Sequence, residues 1–132
     1  MTNTAGANSC VVVEAGVSGL LAARELSATG GRVVVLDEGR DIGGRMATQR
    51  MGNGTFDHGA QFFNVRSERF ERPVAGWLEA GVVEEWTRGF ADAEARHNND
   101  GYPRYRGSEG MNSVPKHLAC RLYVRTASGH CR

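Results

Sequence analysis

Few cysteines are present: Cys10, Cys120 and Cys131 are the only three in 132 residues. They are odd in number, far apart and form no C-x-x-C, so they read as free thiols of a reducing compartment, not as a disulfide framework. The four histidines, His58, His97, His117 and His130, lack metal-ligand spacing. Charge of one sign is lacking as well. A formal net charge of +1 and a pI near 7.8 give no global electrostatic reason to expect nucleic acid or an anionic membrane as partner. No stretch approaches the roughly 20 apolar residues of a membrane helix. The opening "MTNTAGANSC" has neither the basic nor the apolar region of a secretory leader. Cytoplasm is the expected location. Internal repeats, heptads and low-complexity tracts are absent.

Glycine, in contrast, is abundant at 18 residues, which points to tight turns and close backbone approaches. Residues 1–8 are small and polar, a frayed end. Ser9 to Val13 reads as a buried strand. Val17, Leu20, Leu21 and Leu26 then lie on or near one helical face, predicting a helix to about Thr29 that "TGG" ends. "RVVVLD" is a second strand, continuously apolar as parallel strands buried on both faces are. Strand, helix and strand within about 30 residues make a βαβ unit. Glu38 to Thr55 is expected to be loop. Ser67 is placed to cap a second helix carrying Phe70, Val74, Trp77 and Leu78. Pro73 makes that helix either begin there or kink. "GVVEEW" reads as a strand, Phe90 to Pro103 as an irregular mobile loop. In "YRGSEGMNSVPKHLA" a short strand and a glycine turn lead to a helix capped by Asn112 or Ser113. "RLYVRT" follows as a third parallel strand, and "ASGHCR" as an unstructured tail.

The join between the first strand and helix carries the chemistry. A helix start offers unpaired backbone N–H groups and a positive dipole end, which suit a pyrophosphate. In the pattern G-x-G-x-x-G, Gly16 and Gly19 fill the second and third positions, the one for phosphate approach and the other for close helix–strand packing. Glu14 stands at the first. Two such glycines alone are equally a structural turn. Asp37, at the end of the second strand, has the placement to accept hydrogen bonds from the ribose hydroxyls of an adenosine. Its charge also disfavours a 2′-phosphate. Gly43 and Gly44 allow a backbone turn close to a ligand, and Arg45 supplies a planar cationic fork for phosphate oxygens.

"RVVVLDEGRDIGGRMA" (Arg32 to Ala47), "FDHGAQFF" (Phe56 to Phe63) and "RYRGSEGMNSVPKHLA" (Arg104 to Ala119), together with the βα turn, resemble segments of the flavin-containing amine-oxidase superfamily, and of its renalase-like branch in particular. The resemblance covers most of residues 10–125. It implies an α/β fold with a Rossmann-type parallel sheet that binds FAD, incomplete in this chain. The cofactor-binding residues it implies are Ala15, Gly16, Ser18, Gly19, Asp37, Glu38, Gly44, Arg45, Met46, Gly59, Ala60 and Gln61. The pyrophosphate would lie on Gly16 to Gly19, the ribose on Asp37 and the flavin ring beside Gly59 to Gln61. Gly110 and Met111 match a turn before the helix leading to the third strand, whose backbone at Tyr123 to Arg125 would lie near the adenine.

The implied division is a flexible end at 1–8, an FAD-binding βαβ unit and flavin loop at 9–66, and a helix-and-strand insertion at 67–104 that opens a substrate domain. Residues 105–126 return to the FAD-binding domain, and 127–132 form the tail. The implied activity is hydride transfer from a reduced nicotinamide dinucleotide or an amine to flavin, then to oxygen. No catalytic residue is assigned. His58 reads as a packing or hydrogen-bonding side chain rather than a base. Trp77, Trp86, Phe62 and Phe63 read as core, and Arg104 and Arg106 as solvated surface.

Three departures from the family pattern stand out. Glu14, if it needs a positive φ, costs roughly 1–3 kcal/mol, and its carboxylate opposes a pyrophosphate, so FAD is expected to bind weakly. Pro73 interrupts a helix. The chain is less than half the length of its relatives, as a truncated product would be. Such a truncation leaves the apolar edge of the first strand open to self-association. The alternative to an oxidoreductase is a non-catalytic nucleotide-binding remnant.

Overall fold

The computed structural model describes residues 8–131, with the backbone alone for His97, Asn98, His130 and Cys131; residues 1–7, expected to be a frayed end, and Arg132 lie outside the described residues. In chain order the elements are β1 (Ser9–Val13), α1 (Val17–Ala28), β2 (Arg32–Leu36), a 3-10 turn (Gly44–Met46), β3 (Thr48–Met51), β4 (Gly54–Asp57), β5 (Phe63–Asn64), α2 (Glu68–Glu79), β6 (Val83–Ala91), β7 (His97–Gly107), α3 (Ser113–Ala119), β8 (Tyr123–Thr126) and β9 (Gly129–Cys131). They form two compact units, one running to Ala47 and resuming at Pro115, the other Thr48–Val114.

The first unit is a Rossmann-like α/β arrangement. Its sheet has the order β1-β2-β8-β9. β1, β2 and β8 run parallel, and β9 pairs antiparallel with β8. The β-branched valines of β1 and β2 favour the pleated conformation, and "LLAAREL" is rich in good helix formers. The register sets Val12, Val35 and Val124 in one row. Val35 and Val124 are fully buried, as are Leu20 and Ala23 of α1, which lies against β1 and β2. α1 therefore covers this face.

Three expectations are corrected here. Leu21 and Leu26 are exposed, and the small Ala23 joins Leu20 in the buried contact. Among the described residues the other face of the sheet is only partly covered, since the rows Val11–Val34–Tyr123 and Val13–Leu36–Arg125 hold exposed Val11 and Val13 and the 38% exposed Leu36 and Tyr123. The tail expected to be unstructured supplies β9, held by backbone pairing of Thr126 with Gly129.

The second unit contains the β3–β4 hairpin and an antiparallel sheet of order β5-β7-β6. Ser67 caps α2, its hydroxyl oxygen accepting from the Phe70 N–H at 3.3 Å. The helix runs through Pro73 without ending there; proline leaves the Arg69 carbonyl without its usual i+4 donor. Val74 and Trp77 are buried while Leu78 is 39% exposed. Phe63 packs among Phe70, Trp77 and Tyr105 at ring separations of 5.7–6.2 Å.

Two stretches expected to be loop are strand. The last part of Glu38 to Thr55 forms β3 and the start of β4, and Phe90 to Pro103 falls largely within the β6–β7 hairpin. Both pair through backbone groups while keeping polar side chains in water, so neither shows the apolar alternation that marks a strand. Among the described residues no helix is long and apolar enough to cross a membrane.

Candidate functional site

The βα turn of the first unit gathers most of the residues singled out for a dinucleotide. Glu14 has φ 76°, a left-handed conformation that costs a side-chain-bearing residue roughly 1–2 kcal/mol. Its N–H donates to the Leu36 carbonyl at 2.7 Å, which fixes the turn onto β2. A Cβ on Gly19 would lie 2.2 Å from the Glu14 carbonyl oxygen. Only glycine lets the first turn of α1 approach β1 so closely, the packing role expected of it.

Gly16 caps α1 with extended backbone, and no side chain bonds to the helix start. A Cβ placed there would meet nothing within 4 Å. Intrahelical bonding begins with the Leu20 N–H, which donates to the Gly16 carbonyl at 3.0 Å. The preceding N–H groups of Val17, Ser18 and Gly19 are the orphan donors of a helix start. The Glu14 side chain, two residues before the helix cap, is exposed.

Asp37 ties the two ends of the βαβ unit together. Its Oδ2 accepts from the Ala15 N–H at 2.6 Å, and its Oδ1 from the Gly39 N–H at 2.7 Å. Its own N–H donates to the Arg125 carbonyl of β8 at 2.9 Å. The carboxylate is thus a structural anchor of the turn, a role sequence spacing does not reveal. Each oxygen keeps a second lone pair, so hydroxyl donors can still be accepted. Glu38, beside it, is exposed.

The glycine-rich loop reaches the same turn. Gly43, at φ 135°, donates its N–H to the Ala15 carbonyl at 3.1 Å and forms a parallel bridge with Gly16. A Cβ on Gly44, at φ 53°, would sit 3.4 Å from the Gly16 Cα. The 3-10 turn beginning at Gly44 presents Arg45, exposed and without a hydrogen bond or ion pair among the described residues, and half-buried Met46. Ala15, Gly16, Ser18, Gly19, Asp37, Glu38, Gly44, Arg45 and Met46 therefore fall on the turn and the two loops beside it.

Gly59, Ala60 and Gln61 belong to the second unit, between β4 and β5. His58 is exposed and makes no hydrogen bond among the described residues, which corrects its reading as a packed or bonded side chain. Nearby, the Asp57 carboxylate accepts from the Thr48 hydroxyl and, at 2.9 Å, from the Met111 N–H. Thr48 Oγ1 accepts from the Asn112 N–H at 3.0 Å. Side chains of β3 and β4 thereby hold the turn into α3, where the sequence points to Asn112 or Ser113 as a cap.

Arg104 is a further correction. Its side chain is only 13% exposed. It pairs bidentately with Asp100 and lies over the Phe90 and Phe62 rings at 4.7 and 5.9 Å. Its hydrogen bonds hold the Asp100 carboxyl well below the ordinary value, at about 2. Trp86 contacts Phe62 and Phe90 yet is 45% exposed, so it is a surface aromatic. Arg106 pairs with Glu84 in solvent, as expected.

Residues 12–75 match the family model of an NAD(P)-binding Rossmann-like domain, just under half of the chain. An L-amino acid dehydrogenase of Synechocystis sp. is 37% identical over 62 residues, 46% of this chain and 13% of that protein. The chain thus spans about an eighth of that relative's length. Solved structures of putrescine oxidase variants redesigned in cofactor binding are also similar. One shares 21% identity at a TM-score of 0.47, covering 69% of this chain and 20% of the other. A second shares 22% at 0.48, covering 76% and 21%.

Proposed function

We propose that this chain is the dinucleotide-binding part of an FAD-dependent oxidoreductase of the flavin-containing amine-oxidase superfamily, in its renalase-like branch. One observation carries the reading: the uncapped start of α1, the Asp37 carboxylate and the Gly43–Gly44 loop converge on a single turn with open space over Gly16. That donor set fits a dinucleotide phosphate. The Rossmann-like match and the name of the dehydrogenase relative support an oxidoreductase.

Backbone N–H groups at Gly16 to Gly19 would hold the pyrophosphate, Arg45 the phosphate oxygens and Asp37 the ribose. Gly59, Ala60 and Gln61 would run beside the flavin ring. Bound flavin supplies hydride acceptance from a reduced nicotinamide dinucleotide or an amine, and return of the electrons to oxygen. The chain's own part is binding and orientation: Asp37 keeps the turn closed through Ala15 while presenting free lone pairs. With the chain spanning only about an eighth of the dehydrogenase relative's length, catalysis itself would draw on more than this part. The free Cys10 and Cys120 support a reducing, cytoplasmic setting.

A second reading rests on the strained Glu14: a remnant that keeps the turn but holds nucleotide weakly. Titration with FAD and with NAD, followed by thermal unfolding, separates the two. Ligand at 100 times its Kd raises stability by about 2.7 kcal/mol. Purified protein carrying the yellow absorbance of flavin, or stabilised by FAD, supports the first reading. Stabilisation by FAD only after Glu14→Gly supports the second. No response to either ligand in either form rejects a dinucleotide site.

A further inference from the structure

The backbone N–H groups that lead into α3 already have partners. The Met111 N–H donates to the Asp57 carboxylate at 2.9 Å and the Asn112 N–H to Thr48 Oγ1 at 3.0 Å. The Ser113 N–H donates to the Gly110 carbonyl at 3.0 Å and the Val114 N–H to the Met111 carbonyl at 3.4 Å. The helix start therefore has no donor left for a ligand.

The Asn112 side chain does. Asn112 is the only buried polar residue among the described residues, at 3% exposure. Its backbone N–H is held by Thr48, yet its carboxamide makes no hydrogen bond among them. A carboxamide carries two N–H donors and an acceptor oxygen with two lone pairs. Buried groups of this kind are nearly always paired, because leaving one unpaired costs free energy. The adjacent hydroxyls are engaged elsewhere: Thr48 donates to Asp57, and Ser113 Oγ accepts from the Glu109 N–H at 3.3 Å. The carboxamide is not sealed off either, since Arg104 Nε is the one unpaired side-chain atom fully closed from solvent among the described residues.

Its anchor is shared with the segment proposed to run beside the flavin ring. Thr48 Oγ1, which fixes Asn112, also bonds the Asp57 carboxylate. β4 ends at Asp57, and Gly59 to Gln61 follow directly after His58. Gly110, at φ 109°, makes the close approach feasible, since a Cβ there would lie 2.8 Å from Thr48 Oγ1 and 3.3 Å from Asp57 Oδ1. Asn112 and the flavin-side segment are thus tied to the same two side chains.

Building on the FAD-binding reading, we propose that Asn112 is a further cofactor-binding residue whose carboxamide hydrogen-bonds the flavin ring. The pyrimidine edge of that ring presents carbonyl acceptors on either side of an N–H donor. A carboxamide matches it with one donor and one acceptor.

Asn112→Leu keeps a similar shape and removes the polar group. In ligand-free protein it should leave the urea midpoint unchanged or raise it, which loss of a structural hydrogen bond would not do. FAD and ADP then separate the ring from the rest, because ADP shares the adenosine and diphosphate and lacks the ring. FAD is titrated by flavin fluorescence and ADP by thermal shift, in the native chain and in Glu14→Gly. Asn112→Leu should weaken FAD about tenfold and leave ADP unchanged. The smaller Asn112→Ala, which introduces no clash, should give the same contrast. FAD affinity unchanged in both variants overturns the proposal, as does an equal loss for FAD and ADP. Failure of FAD and ADP to bind any form, Glu14→Gly included, instead rejects the dinucleotide site itself, and the role of Asn112 with it.

Discussion

Glu14 holds the backbone conformation that glycine adopts freely, and the cost is paid in the folded state alone. Glu14→Gly should raise stability by about 1 kcal/mol, a gain of a few degrees in Tm measured without ligand. The neighbouring constraint has the opposite sign. Gly19→Ala sets a Cβ against the Glu14 carbonyl and should cost about 3 kcal/mol, seen as a lower urea midpoint. Asp37→Ala removes the acceptor of two backbone N–H groups and should destabilise by about 2 kcal/mol with no nucleotide present. An unchanged urea midpoint would show that the carboxylate serves only a ligand. The Asp100 carboxyl offers a pH test. Its folded value is lowered to about 2 by hydrogen bonding to Arg104. Its contribution is therefore complete above the unfolded value near 3.9 and disappears as pH falls through about 2. Carboxyl NMR should give a midpoint near 2, returning toward the ordinary value in Arg104→Gln.

Elements were legible where side-chain pattern and backbone agree. β1, α1 and β2 combine apolar runs with a glycine stop, and β8 repeats the run after α3. β3, β4 and most of the β6–β7 hairpin were illegible because their pairing uses backbone groups under polar side chains. The candidate site divides in the same way. Gly16, Gly19, Asp37 and Gly43–Arg45 announce themselves by spacing along the chain. The Asp37 bond to Ala15 and the Thr48–Asp57 support of the α3 turn join residues distant in sequence, so only the fold reveals them. α2 shows an element overriding one residue: Ser67 caps it, and burial of Val74 and Trp77 carries it past Pro73. Pro73→Ala should restore a donor to the Arg69 carbonyl. The helix-interior penalty of about 3 kcal/mol, less up to about 1 kcal/mol of unfolded-state entropy, leaves an expected gain of about 2 kcal/mol. Equilibrium denaturation measures it.

At the scale of the molecule, the chain leaves its Rossmann-like unit after Ala47 and returns only at Pro115. β2 lies between β1, near in sequence, and β8, whose Tyr123 pairs with Val34. These two pairings differ in loop length and therefore in timing. The β1–α1–β2 segment closes a short loop and is complete early. The β2–β8 pairing must wait for the whole of Thr48–Val114, and long-range closure is the slow step in folding. During synthesis at about 5–20 residues per second, the side of β2 destined for β8 stays open for on the order of ten seconds after β2 emerges. Until β8 arrives, the side of β2 that will pair with it is an open strand edge, the kind that templates association.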